Sequence, residues 1–468
     1  MAEKREKSEG KLLEEKLLWK FSHIGKKGQE QVDEAADFCE GYKVFLNEGK
    51  TERECVAAAE RMLKKAGYRL FDRKERYKPG DKVYQINRGK SILATTFGEK
   101  SLNEGVRING AHIDSPRLDL KPCPLFEKNE IAFFKTHYYG GIRKYQWGTV
   151  PLALHGVVVK KNGEMISISV GEEPKDPVFC ISDLLPHLAS KQNERKLSEG
   201  LKGEELNIVV GTLPFQDEAV KEPVKLMILK LLNEKYGITE EDFYRAEIEM
   251  VPAQKAVDVG LDRSLIGAYG QDDRVCAYTA LMAEIETQNP PYTTITVLTD
   301  KEEIGSEGNT GMNSAYLRHY IEDLADLEGI PVRDVFRNAL CLSSDVNAAF
   351  DPTFPDVFEA SNSSYVNKGC VLTKYTGARG KSGANDASAE TMARVIAMME
   401  AEDVCWQAGE LGAVDQGGGG TIAKYVAQLD IDVVDLGVPV LSMHSPFEMV
   451  AKLDVYHTYR AFRAFYKR

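Results

Sequence analysis

At 468 residues the chain holds about three units of the ~150-residue size typical of domains, so one large domain with a substantial insertion, or two to three domains, is expected. Hydrophobic residues make up 43% and charged residues 28%, which excludes wholesale disorder and fibrous repeats, and a chain of this length builds a core without a disulfide or metal staple. The 60 Lys and Arg against 72 Asp and Glu leave a net charge of −12, which argues against nucleic acid or an anionic membrane surface as partner.

The opening text MAEKREKSEGKLLEEKLLWKF mixes both signs of charge around no apolar centre, unlike a secretory signal. No apolar run approaches the ~20 residues of a membrane span, and a cytoplasmic location is the expectation. From Glu3 to about Lys65 the pattern is helical, with Leu12, Leu13, Leu17 and Leu18 set among charges, and the first helix is expected on a surface or against another subunit. The eight cysteines stand singly with no CxxC pair and read as buried, reduced thiols.

From about Val106 short apolar segments each end abruptly in polar or glycine-rich text: VRINGAHID, TTITVLTDKEE, ALCLSSDVN and VPVLSMHSP. Helical stretches such as DRVCAYTALMAEIE and ASAETMARVIAMMEAE lie between them. That alternation predicts an α/β fold, a sheet flanked by helices, whose ligands gather at the carboxyl ends of its strands. Between about Cys123 and Val257, IAFFKTHYYGG, KYQWGTVPLALHGVVVKK, EMISISV and LNIVVGTLP read as strands of a separate β-rich unit. The predicted division is an α/β domain in two segments, residues 1–122 and 258–468, interrupted by an inserted domain over 123–257.

The chemistry-bearing residues fall at the ends of the strand-like runs. His112 and Asp114 form a His-x-Asp triplet, in which a carboxylate can orient a metal-bound imidazole, although a satisfied histidine reads the same way. Asp272 and Asp273 open a helix, where acidic residues ordinarily complement the helix dipole and where one could also bridge two metals. Glu302 and Glu303 follow TITVLT and run into a glycine-rich loop; one can ligate a metal while its neighbour carries a proton. Asp345 and His444 end two further runs. Taken together, His112, Asp272, Glu303, Asp345 and His444 make a cysteine-free set of imidazoles and carboxylates sized for two borderline divalent ions rather than one structural zinc.

The ordered set NGAHIDSPRLDLKP, YGQDDRVCAY, DKEEIGSEG, SSDVNAAFDP and SMHSPFEM closely resembles the aspartyl aminopeptidase and vacuolar aminopeptidase I family of dinuclear zinc exopeptidases. The resemblance implies a zinc-exopeptidase-like sheet with an inserted β-rich domain. It implies two divalent ions per subunit, zinc foremost with manganese or cobalt as substitutes, bridged by Asp272. His112 and Asp345 would complete one ion's site, and Glu303 and His444 the other. It further implies Glu302 as general base, Asp114 as the carboxylate orienting His112, and a cis peptide between Asp272 and Asp273. The activity implied is removal of N-terminal residues from peptides, by a homo-oligomer built from dimers into a tetrahedral dodecamer, with a neighbour's insertion reaching the active site. In aspartyl members that insertion carries Pro-His-Leu-Ala and then a second histidine; here Pro186, His187, Leu188 and Ala189 are followed by Lys191, a departure that leaves the preference open between acidic and neutral residues.

Two further glycine-rich loops, KYTGARGKSGANDASAE and VDQGGGGTIAKYVA, read as ordinary turns or, by the same resemblance, as pocket walls with Lys374, Ser382, Asp386, Gly418, Gly419 and Gly420, joined by His187, as substrate-binding candidates. There is no GxSxG elbow and no phosphate loop. Two other readings use the same residues: a non-catalytic assembly that binds peptides or cargo, and an amidohydrolase acting on N-acyl amino acids.

Overall fold

The computed structural model describes residues 7–19 and 21–468. Its middle layer is a nine-stranded sheet in the order Arg69–Leu70, Lys82–Asn87, Ser91–Thr96, Thr294–Thr299, Arg107–His112, Leu340–Ser343, Asp432–Gly437, Cys370–Thr373 and Trp406–Ala408. The four strands from Thr294–Thr299 to Asp432–Gly437 run parallel, so their carboxyl ends share one edge. TITVLT, RINGAH and LCLS are buried along their whole length, threonines, Arg107 and Asn109 included, as befits strands covered on both faces.

Helices cover both faces. On one, Leu317, Ile321 and Leu324 of Tyr316–Glu328 and Val335 and Phe336 of Val332–Asn338 pack against Ile108, Ile295, Val297 and Cys341. On the other, Gln29–Glu48, Glu52–Lys65, Gln271–Glu286 and Lys452–Tyr466 close over Ala111, Leu298, Leu340 and Leu342. Gln271–Glu286 is buried almost all round, so no single apolar stripe marks it in the sequence. Thr51 starts Glu52–Lys65 through a capping box with Glu54.

The N-terminal helical reading resolves into Glu9–Leu17, Gln29–Glu48 and Glu52–Lys65, its first residues, 3–6, lying outside the described residues. Glu9–Leu17 buries none of its residues, and Leu12, Leu13, Leu17, Leu18 and Trp19 are exposed. The thiols need a correction. All eight are free, but Cys123 is exposed and Cys180 and Cys405 are half-buried. Among the described residues no helix is long and apolar enough to cross a membrane.

A second, seven-stranded antiparallel sheet draws every strand from the stretch between Arg117 and Pro252, and Phe134, Leu152, Leu154, Ile208, Ile248 and Met250 give it a core of its own. Its first strand, Arg117–Lys128, runs across the predicted boundary at residues 122 and 123. A register shift between Leu120 and Leu125 interrupts the alternation there, which hid the strand in the sequence. A third, five-stranded sheet joins Val257–Val259, Leu265–Ala268, Glu448–Ala451, Pro439–Leu441 and Asn347–Ala348. VPVLSM therefore feeds this small sheet, while the strand just before it, Asp432–Gly437, enters the main one.

Candidate metal centre

Two sheets supply the centre. His112 is the last residue of Arg107–His112, Glu302 and Glu303 follow Thr294–Thr299, and Asp345 follows Leu340–Ser343, all at the carboxyl edge of the main sheet. Asp272 and His444 come from the small sheet, just past Leu265–Ala268 and Pro439–Leu441. Lys301 and Gly305, both in the left-handed region, bracket the single turn Glu302–Ile304 and so present both glutamates to the same cleft. The cleft has a volume of about 490 Å³, and Asp272, Glu302, Glu303, Asp345 and His444 line it.

Asp272 sits in the middle. Its Oδ1 lies 3.0 Å from His112 Nε2 and its Oδ2 lies 3.1 Å from His444 Nε2. His112 Nε2 is 3.7 Å from Asp345 Oδ1 and 3.9 Å from Glu302 Oε2, and His444 Nε2 is 3.5 Å from Glu303 Oε1. The Asp272–Asp273 peptide is cis. Asp114 meets His112 chiefly through its main-chain oxygen, 3.0 Å from Nδ1, with its carboxylate Oδ1 at 3.4 Å.

So many carboxylates in one buried place act on each other. Burial, reinforced by Asp345, Asp114 and Asp272 and opposed by His112, pushes the Glu302 carboxyl up to about 8. Burial and then Asp272 raise Glu303 well above the usual carboxylate range. Burial works against the charged form of both histidines, yet the facing carboxylates raise His112 well above its ordinary value and push His444 up to about 11. These shifts describe an excess of negative charge that calls for cations. Asp272 Oδ1 and Glu303 Oε1 are buried and accept no hydrogen bond of good geometry from the described residues. Oxygens left in that condition, in a set mixing imidazole and carboxylate, fit divalent zinc-like ions. One ligand atom each from His112, Asp272 and Glu303 lie within 4.8 Å of one another, as do those of His112, Asp273 and Asp345. Asp273, named beside Asp272 in the sequence but given no metal role, is itself buried, and burial with the nearby Asp345 raises its pKa well above the usual range.

The remaining candidates divide. Gly418, Gly419 and Gly420 line the cleft, and Gly418–Gly419 pairs antiparallel with Gly377–Ala378 in a short two-stranded ladder that joins the two glycine-rich loops. Lys374, Ser382, Asp386 and His187 do not line it. Lys374 donates to Asp386 at 2.6 Å on the exposed side of that loop, the Ser382 N–H donates to the Ala378 carbonyl within it, and His187 is exposed in the turn Pro186–Leu188. Glu448 was missed. Buried beneath the centre, it accepts the His444 N–H at 2.6 Å and the Asp272 N–H at 3.1 Å. It lies in the quoted SMHSPFEM, but nothing in a sequence marks a glutamate whose partners are main-chain amides.

Comparison with known proteins gives the same direction. Residues 45–466 match the family described as Aminopeptidase I zinc metalloprotease (M18). The chain is 50% identical over 443 residues to a probable M18 family aminopeptidase 1 of Clostridium acetobutylicum, covering 93% of this chain and 95% of the relative. A solved M18-family aminopeptidase from Thermotoga maritima superposes with a TM-score of 0.92 at 45% identity, covering 96% of this chain and all of that one. The mApe1 dodecamer of S. cerevisiae shares the fold at a TM-score of 0.76 and 23% identity, with 94% and 97% of the two chains covered. With the family matched over nearly its whole length, the chain belongs to the M18 family of zinc metallo-aminopeptidases.

Proposed function

We propose that the chain removes the N-terminal residue from peptides with two divalent ions, zinc foremost, held in the cleft between the main and small sheets. The observation that carries this reading is the Asp272 carboxylate, each of whose oxygens faces a different histidine, at 3.0 and 3.1 Å. A carboxylate so flanked suits a bridge. His112 and Asp345 would complete the shell of one ion, and Glu303 and His444 that of the other.

When bound, the ions supply Lewis acidity to the scissile carbonyl and to a water molecule. Glu302, whose Oε2 is 3.9 Å from His112 Nε2, takes the proton from that water and returns it to the departing amine nitrogen. No covalent enzyme intermediate is needed. Asp114 holds the His112 ring by its Nδ1 side, which fixes the tautomer that leaves Nε2 free to ligate. Gly418, Gly419 and Gly420 form a wall of the substrate pocket close to the backbone. His187, exposed on its own chain, is assigned to the cleft of a neighbouring subunit in a dimer-based, closed dodecamer.

The test is a panel of aminoacyl anilides and their N-acylated counterparts, assayed after chelation and after return of zinc, manganese or cobalt. Metal-restored hydrolysis of the free-amine compounds is the expected result. Hydrolysis confined to the N-acyl compounds would support an amidohydrolase instead, and inactivity throughout would support a peptide-binding assembly.

A further inference from the structure

The strand Ile131–Tyr139 belongs to the second sheet, yet its end reaches into the metal centre. Tyr139 Oη donates to Asp114 Oδ2 at 2.8 Å. The same carboxylate accepts the Glu302 N–H at Oδ1, 3.1 Å, and the Glu303 N–H at Oδ2, 3.2 Å. Asp114 thus ties together the tyrosine, the turn bearing both glutamates and, through its main-chain oxygen, the His112 ring. Two residues beyond the tyrosine, the Gly141 carbonyl accepts from His444 Nδ1 at 2.7 Å. Between them Gly140 has a φ of 74°, and a Cβ there would stand 3.1 Å from Glu303 Oε2. A side chain there would be strained in that conformation and would crowd Glu303.

The tyrosine is itself held from behind. The Arg117 guanidinium lies 3.9 Å from its ring centre, and Arg117 is buried among Asp119, Glu249 and Glu52 at 2.8, 3.3 and 3.5 Å. A cation over the ring face, fixed by three carboxylates, leaves the hydroxyl little freedom to seek another partner.

We propose that Tyr139–Gly141 is a positioning strap by which the inserted sheet fixes both halves of the metal centre, with Tyr139 the positioning residue for Asp114 and, through it, for the Glu302–Glu303 turn. The proposal rests on the two-ion reading of the cleft. Partners that orient metal ligands typically contribute about 10–100-fold to metal affinity or activity, and this strap touches the supports of both histidines.

The decisive variant is Tyr139→Phe, which keeps the ring against Arg117 and removes only the hydroxyl. Metal-free full-length protein is titrated with cobalt, followed by the visible absorption of the bound ion, and kcat and KM are measured separately on an aminoacyl anilide. The strap requires cobalt affinity lowered about 10–100-fold, an altered cobalt spectrum, and a fall in kcat with KM within about twofold. A merely structural tyrosine would leave the spectrum and the kcat-to-KM split untouched, and that result overturns the proposal. Should Tyr139→Phe not fold, Gly140→Ala decides on the same titration, where affinity and spectrum equal to wild type overturn it. Wild-type protein that takes up no cobalt would instead overturn the two-ion reading, so the two failures are told apart.

Discussion

His444 Nε2 stands 3.1 Å from Asp272 Oδ2, on the one carboxylate oxygen that His112 does not face. Removing either histidine should therefore empty one half of the centre and spare the other, whereas removing the shared carboxylate should disturb both. His444→Ala is expected to purify with about half the wild-type zinc, His112→Ala likewise, and Asp272→Ala with far less, as read by elemental analysis of dialysed protein. Equal zinc in Asp272→Ala and His444→Ala would count against a bridging role.

Glu302 lines the cleft beside the His112 ring, 3.9 Å from Nε2, and is proposed as its proton carrier. Glu302→Gln should keep its zinc while kcat falls by about 10²–10⁴ and KM changes little. Turnover near the wild-type rate in a zinc-replete variant would remove Glu302 from the role of base.

Beneath the cleft, Glu448 accepts the main-chain N–H of both His444 and Asp272. Glu448→Ala strands the buried Asp272 N–H, at a cost of about 1–3 kcal/mol, leaves the part-buried His444 N–H without its acceptor, and frees the loop that aims His444. A lower melting temperature even without metal is expected, together with weaker zinc binding. Unchanged thermal stability in the metal-free state would show that these amides find other partners.

His457, fully buried, accepts the Cys405 N–H at Nδ1, 3.0 Å away. Burial, then the nearby Arg460 and Lys27, pushes its pKa down to about 3. Because an unfolded histidine titrates near ~6.5, the unfolded chain takes up a proton below that pH that the folded chain refuses. This contribution to stability is complete above pH ~6.5 and is lost as the pH falls toward 3, by at most ~1.4 kcal/mol per pH unit. Melting temperatures of wild type and His457→Gln should thus converge as the pH drops from 7 to 5. Curves that stay parallel would mean that His457 is not held neutral.

The parts of the centre that were legible in the sequence are those whose signal is local. His112, the Glu302–Glu303 pair and Asp345 each close a buried apolar run, and the run, the stop and the residue lie side by side in the text. His444 was found in order but not in place, because a strand of three residues, Pro439–Leu441, gives no clue that the chain has left the main sheet for a smaller one. The supports were illegible for a different reason. His444 and the carbonyl of Gly141 are 303 residues apart, and a main-chain oxygen carries no mark of its role. Asp114 was expected to orient His112 by its carboxylate, and the structure gives the closer contact to its backbone oxygen. Arg117–Lys128 escaped notice because its bulge breaks the period by which strands are recognised.

If two ions act together around Asp272, titrating the chelated protein with zinc while following hydrolysis of an aminoacyl anilide will show activity reaching its plateau only as the second equivalent of zinc per chain is bound. N-acylated substrates will remain uncleaved throughout. Full activity at one equivalent, or none at two, would rule out a shared two-ion site.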